Sequence, residues 1–282
     1  MVAMLTAENR QRLGSLRWIL GQMERVLVAF SGGVDSALVL HVAHDVLGDD
    51  AVALTALSET FPPEELEQAR LFADGLGVTH HLVESHELES EGYAANNGDR
   101  CYFCKSELFE LAADRARLFG IPWIADGTIV DDLGDHRPGL VAATENLVRH
   151  PLVEAGFDKS AVRSVAQHLG IEVWAKPSFA CLGSRFAVGT RVTEDRVRKI
   201  QRVESYLRTI GLTQFRARYH LLEGREMVRI EVDPGDFATV TQFHESIQEV
   251  CVAEGFEWVT LDLIGYRMGG AQARAQEVKT SA

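Results

Sequence analysis

Cysteine is scarce. Four in 282 residues are too few for a disulfide scaffold, which makes metal or catalytic use more natural. There is no apolar run of membrane-spanning length, and the first residues carry no signal-peptide pattern, so a cytoplasmic protein is expected. Basic charge is also short: 28 Lys and Arg face 41 Asp and Glu, a net charge of −13. A general nucleic-acid binder needs a basic surface to neutralise phosphates, so that class is disfavoured. Internal repeats and low-complexity tracts are missing too. What is left, at 46% hydrophobic and 24% charged residues, is an ordinary globular composition with length enough for two domains.

One further absence is local. The apolar run Val26-Leu27-Val28-Ala29-Phe30 leads into Ser31-Gly32-Gly33-Val34-Asp35-Ser36 and then an apolar-periodic segment, which reads as strand, loop and helix. Gly32 and Gly33 let the backbone bend and approach a bound group, and the free N–H groups of the helix near Val34 favour an anion. Ser31 and Ser36 add hydroxyl donors, so the segment suits phosphate. A Walker A loop would end in Gly-Lys-Ser/Thr, and no lysine stands here. Asp35 takes the middle of the loop instead, which makes sense if a metal bridges it to the phosphates.

Strand and helix patterns alternate over the first 175 residues or so. A helix is expected near Glu8–Glu24, another through Ala37–Val46, a strand over Ala51–Leu57, a helix over Pro62–Leu76 and a short strand over Thr79–Val83. Glu84–Arg100 is polar and aperiodic; Cys104–Phe119 reads as helix, Ile121–Ala125 as strand, and Pro151–Gly170 as helix. This alternation predicts an α/β fold, a parallel sheet with helices on both faces. Ligands of such sheets sit at the carboxyl ends of the strands. The Ser31 loop, Ser58-Glu59-Thr60 and Asp126-Gly127-Thr128 are expected there together. His80, His81 and His86 read as surface residues.

From Gly189 the pattern changes: helix over Glu194–Thr209, strands Gln214–Leu222 and Met227–Val232 around a hairpin signal, helix over Asp236–Cys251, strand over Trp258–Leu263. The expected organisation is a nucleotide domain over 1–188, a smaller α+β domain over 189–268 and a disordered tail over 269–282.

Cys101-Tyr102-Phe103-Cys104 opens a helix, Cys181 stands in a loop, and Cys251 lies on the apolar face of a late helix, where a small buried hydrophobe is expected. For the Cys-x-x-Cys pair three chemistries remain open: a redox dithiol, a zinc site completed by His150 or His136, and an iron–sulfur cluster completed by Cys181. Cys181 alone also suits a sulfur donor or nucleophile, and Lys176 and Arg185 would favour its thiolate if they face it.

Ser31–Ser36 resembles the signature of the PP-loop ATP pyrophosphatases, which cut ATP between the α- and β-phosphates. With Arg100–Lys105, Asp126–Gly139 and Pro177–Arg185 added, the chain resembles the LarE family of ATP-dependent sulfur transferases over nearly its whole length. The resemblance implies an adenine nucleotide alpha hydrolase-like fold, with ATP and magnesium as cofactors. It implies a pyridinium dicarboxylate mononucleotide as substrate, adenylylated and then thiolated toward the nickel-pincer cofactor of lactate racemase. No nucleic-acid or membrane partner is expected, and a homo-oligomer is. One version of the family sacrifices a cysteine matching Cys181; another has three, matching Cys101, Cys104 and Cys181, on a [4Fe-4S] cluster. Three cysteines favour the cluster version, with sacrificial donation and a tRNA-thiolating PP-loop enzyme as alternatives.

By the same resemblance, Asp35 helps place magnesium and Ser31, Gly32, Gly33, Ser36, Ser58, Asp126, Gly127 and Thr128 hold the nucleotide. Arg216 and Arg218, two apart on one strand and so on one face, take the substrate phosphate, and Glu204 is a metal ligand. Asp131, Asp132 and Asp135 read mainly as a solvated acidic loop. One departure is Ile129, where the related Gly-Thr-Asn motif has asparagine.

Overall fold

The computed structural model describes residues 4–134, 138–176 and 180–267. The expected tail over 269–282, and Asp135, His136 and Pro177–Phe179, lie outside the described residues. The chain divides into two compact units: residues 1–87 with 101–179, and residues 88–100 with 180–282.

The first unit runs α1 (Ala7–Gly21), β1 (Val26–Ala29), α2 (Val34–Leu47), β2 (Ala51–Leu57), α3 (Pro63–Leu76) and β3 (Thr79–Glu84). After an excursion through α4 (Glu91–Ala95) of the second unit, it returns as α5 (Arg100–Phe119), β4 (Trp123–Ala125), α6 (Pro138–Glu145), α7 (Pro151–Glu154) and α8 (Lys159–His168). The four strands are parallel in the order β3-β2-β1-β4. Both faces are covered, as the near-continuous apolar strands require. Val26, Val28, Phe30, Ala51 and Ala53 pack into one cluster with residues of α1, α2 and α8. Their alternates Leu27, Ala29, Val52 and Leu54 pack into another with Phe109, Ala112 and Ala142 of α5 and α6. Each fully buried Val or Leu contributes about 1.5–3 kcal/mol. The order reverses at β1, so the crevice between the loops after β1 and β4 is the topological switch point where such sheets bind ligands.

The second unit has α9 (Glu194–Thr209), β5 (Phe215–Leu222), β6 (Arg225–Val232), α10 (Phe237–Gln242), α11 (His244–Ala253) and β7 (Trp258–Leu261). Its sheet is mixed: β5 and β6 are antiparallel, β6 and β7 parallel. Glu223 and Gly224, both at positive φ (52° and 84°), form the tight hairpin turn. Val197, Ile200, Val203 and Leu207 of α9 are buried with Phe215, Ala217, Val228 and Ile230 of the strands.

Several expectations need correction. Glu84–Arg100 is aperiodic because polar bonds tie its later part into the second unit. Asn96 donates to the carbonyls of Ala187 and Thr190 (2.8 and 3.1 Å), and Val192 N–H donates to Ala94 (2.8 Å). Pro151–Gly170 is two helices, broken where Gly156 turns to φ +74° and Asp158 caps α8 through the Ala161 N–H. Asp236–Cys251 also breaks, at Phe243. α6 was not anticipated. His80 and His81 are half-buried rather than on the surface, His80 against Thr55 (2.8 Å) and His81 stacked on Phe119; His86 is exposed. Cys251 is buried, as expected, and its thiol is pushed up to about 12 by burial.

Candidate active site

The loop after β1 folds around its two serines. Ser36 Oγ donates to Gly33 O and accepts from Ser31 N–H, and the two hydroxyls lie 3.2 Å apart. Gly32 takes φ +72° beside Ala69, a turn that a side chain would strain. Gly33 caps α2 without a side-chain bond, so the first-turn N–H groups stay open to an anion.

The loop after β4 presses on this helix start. A Cβ on Gly127 would lie 2.6 Å from Ser36 N and 2.9 Å from the Asp35 carbonyl carbon, so only glycine fits. Asp126, buried, accepts from Thr128 N–H (3.0 Å) and Oγ1 (2.8 Å), and His150 Nδ1 lies 2.7 Å away. Burial pushes this carboxyl up, but the His150 bond, the nearby Lys105 charge and the Thr128 N–H outweigh it and hold it below its ordinary range. Ile129 is buried in the core, so the place where asparagine was expected has no polar role. After β2, Ser58 and Thr60 both donate to buried Glu87, at 2.9 and 2.5 Å.

Asp35 is half-buried, which raises its pKa, with Lys159 acting against that rise. Lys159 Nζ sits 2.9 and 2.7 Å from the two Asp35 oxygens. The Lys159 N–H donates to Asp131 (3.0 Å), so Asp131 is part of this framework rather than simply solvated; Asp132 accepts from Ile129 N–H (3.1 Å). Lys176, which would favour the Cys181 thiolate only if it faced it, donates to Glu65 (2.5 Å) and Gly32 O (3.4 Å), under the phosphate loop.

Cys101 and Cys104 occupy the first turn of α5, the former exposed and the latter half-buried. In the second unit Cys181, half-buried, precedes a single 3-10 turn, Leu182–Arg185. Arg185 is almost wholly buried. It pairs with Glu204 through two 2.8 Å bonds and donates to the carbonyls of Ala180 (2.5 Å) and Cys181 (3.1 Å). Burial alone would lower its pKa, and the Glu204 carboxylate more than offsets this. Glu204 also accepts from Ala217 N–H (2.9 Å), so both its oxygens are engaged. Arg218 is buried on Glu231 (3.0 and 2.9 Å) and donates to Ser184 O (2.9 Å). Arg216 lies over the Tyr266 ring, its pKa lowered by burial and then by the Arg185 charge.

The comparisons with known proteins agree with this geometry. Residues 20–99, which include the phosphate loop, match the NAD synthase family. An uncharacterized protein of Synechocystis sp. is 42% identical over 92% of this chain and 96% of its own length. The pyridinium-3,5-bisthiocarboxylic acid mononucleotide synthase of Lactiplantibacillus plantarum is 37% identical over 89% of this chain and 90% of its own. The chain belongs to the LarE family. It is therefore an ATP-dependent sulfur transferase. A more distant relative, the tRNA-specific 2-thiouridylase MnmA of Desulforamulus reducens, is 27% identical over 55% of this chain.

For a LarE-family chain the residues divide clearly. Ser31, Gly32, Gly33, Asp35, Ser36, Ser58, Asp126, Gly127, Thr128, Cys101 and Cys104 are in the first unit; Cys181, Arg185, Glu204, Arg216 and Arg218 are in the second. Asp35 offers hard oxygen donors on the phosphate loop and fits a magnesium ligand. The thiols of Cys101, Cys104 and Cys181 are exposed or half-buried, and their donor chemistry fits an iron–sulfur cluster. Among the described residues no three His, Cys, Asp or Glu stand grouped to hold a metal. Sequence reasoning missed Lys159, Glu87 and Glu231. Lys159 carried a signal: it follows the helix-capping Asp158, which fixes where its side chain begins.

Proposed function

We propose that this chain adenylylates one carboxylate of pyridinium-3,5-biscarboxylic acid mononucleotide and replaces its oxygen with sulfur, giving a thiocarboxylate for nickel-pincer nucleotide synthesis. The observation that carries this reading is the 37% identity to the Lactiplantibacillus synthase, sustained over 89% of the chain.

The physical logic has two halves. A carboxylate cannot readily expel oxide, so its oxygen attacks the α-phosphate of ATP, pyrophosphate leaves, and an acyl adenylate forms. Ser31, Ser36 and the open N–H groups of α2 stabilise the charge that leaves with pyrophosphate. Asp35 would hold magnesium, and Gly127 lets the β4 loop approach the same helix start closely. Arg216, beside the buried cations Arg185 and Arg218, lies where a substrate phosphate is favoured. Sulfide then adds to the acyl carbon and AMP departs. Cys101, Cys104 and Cys181 would hold a [4Fe-4S] cluster, which would supply that sulfide. Glu204 acts by fixing Arg185, with a metal role secondary to that. The enzyme works in the cytoplasm as a homo-oligomer, its second unit binding the substrate phosphate.

The test is anaerobic iron and sulfide analysis with a visible spectrum, followed by incubation with the dicarboxylate mononucleotide, ATP and Mg2+. Expected are a cluster that the Cys101→Ala variant loses, equal AMP and pyrophosphate, and exchange of oxygen for sulfur in the product. No iron, with one sulfur lost from Cys181 per turnover, would replace the cluster with sacrificial donation. Tight, salt-sensitive tRNA binding would point to a tRNA thiolase instead.

A further inference from the structure

Phosphate loops built on glycine ordinarily place a lysine ammonium among the phosphate oxygens. Ser31–Ser36 contains no cation, yet the fold brings one there from 124 positions away: Lys159 Nζ lies 2.9 and 2.7 Å from the two oxygens of Asp35. The backbone of Lys159 is fixed. Its N–H donates to Asp131 (3.0 Å), and the residue opens α8 directly after Asp158, which caps the helix through Ala161 N–H (2.7 Å). Only the four-carbon side chain, 31% exposed, is at liberty to move.

Lys159 and Arg163 act on Asp35 as attracting charges and Asp132 as a repelling one, with Asp131 on the Lys159 N–H. Asp35 is also the carboxylate best placed to take magnesium with the phosphates. Metal and ammonium cannot both hold the same two oxygens at full strength. Once magnesium takes them, a half-buried ammonium is left without its counterion, a costly state unless a new anion is at hand. The phosphate chain that arrives with the metal is that anion.

We infer that Lys159 is the phosphate lysine of this loop, paired with Asp35 and handed to the phosphates when magnesium displaces it. The inference rests on the reading of Ser31–Ser36 as an ATP site. It differs from a plain structural ion pair, because the exchange makes Lys159 a competitor of magnesium and makes Asp35 a competitor of nucleotide.

Calorimetric titration of a non-hydrolysable ATP analogue, with and without Mg2+, separates the two. In Asp35→Asn the ammonium is released, so metal-free analogue should bind about tenfold tighter than in the unaltered chain, and Mg2+ should no longer strengthen binding. In Lys159→Met the metal-free affinity should fall by about tenfold, while the Mg2+ concentration giving half-maximal binding also falls, because the competitor is gone. Asp35→Asn binding metal-free analogue no tighter than the unaltered chain would overturn the exchange, whether or not Lys159→Met folds. A Lys159→Met protein with an unchanged or higher Mg2+ requirement would overturn it as well. If the unaltered chain binds no analogue under either condition, the ATP-site reading itself falls.

Discussion

Replacing Gly127 with alanine tests the junction of the two loops that frame the nucleotide site. The added Cβ would stand 2.6 Å from Ser36 N, 2.9 Å from the Asp35 carbonyl carbon and 3.0 Å from Ser36 Cα. Ordinary contact begins at 3.4 Å, so the two backbones must part by about 0.8 Å. All three neighbours are main-chain atoms of the first turn of α2, and none can rotate aside. Overpacking of this kind costs about 1–3 kcal/mol, which lowers the melting temperature by about 2–10 °C in a chain of this size. The chemical penalty is larger. A shift near 1 Å in a positioned group lowers turnover by about a hundredfold. Gly14 is the control: nothing lies within 4 Å of its Cβ position inside α1, so Gly14→Ala should gain about 0.5–1 kcal/mol and leave turnover alone. The assays are a thermal melt and AMP release from ATP with substrate present. A Gly127→Ala protein that melts and turns over like its parent would refute the close approach. One that melts lower yet keeps its turnover would show that the contact holds the fold but not the phosphates.

Glu204→Ala strands the Arg185 guanidinium in the interior and should cost about 3–5 kcal/mol, whereas replacing both partners with apolar residues should cost less than either single change; equal melts for the single and double variants would contradict this. Burial lowers the pKa of His41, His80 and His81, so the unfolded chain binds more protons than the folded one below the ordinary imidazole value. That stability is present above about pH 6.5 and lost as pH falls, so melts at pH 7.5, 6.5 and 5.5 should descend, and a flat or rising series would count against it. In reduced, metal-free protein at pH 8, Cys251, with its thiol pushed up to about 12 and no exposed surface, should react with a thiol reagent only after denaturation, while Cys101 reacts in the native state; peptide mass analysis reads both.

The parallel sheet and the three loops at its carboxyl edge were legible because they rest on local signals: short apolar strands, glycine turns and helix starts. Ala51–Leu57 and Glu194–Thr209 match their expected bounds for that reason. What escaped depends on partners far apart in the chain. Lys159 meets Asp35 across 124 positions, and Glu87 reaches Ser58 across 29. No periodicity encodes such pairs. Lys176 shows the limit of proximity in sequence: it stands five positions from Cys181, and its ammonium is held by Glu65. Arg216 and Arg218 look equivalent in the sequence, yet Arg218 is tied to Glu231 and Arg216 lies over Tyr266.

The turn that carries Cys181 is moulded almost entirely through its main chain. Arg185 grips the carbonyl oxygens of Ala180 and Cys181, Glu204 anchors Arg185, and Arg218 takes the carbonyl of Ser184. None of these bonds ends on sulfur. The turn at 181 is thus held by bonds to its main chain that a change of side chain leaves in place. A cysteine shortened to alanine or exchanged for serine would keep those main-chain bonds. Loss of sulfur transfer in such a protein would therefore measure what the sulfur atom does, separately from what holds it in place.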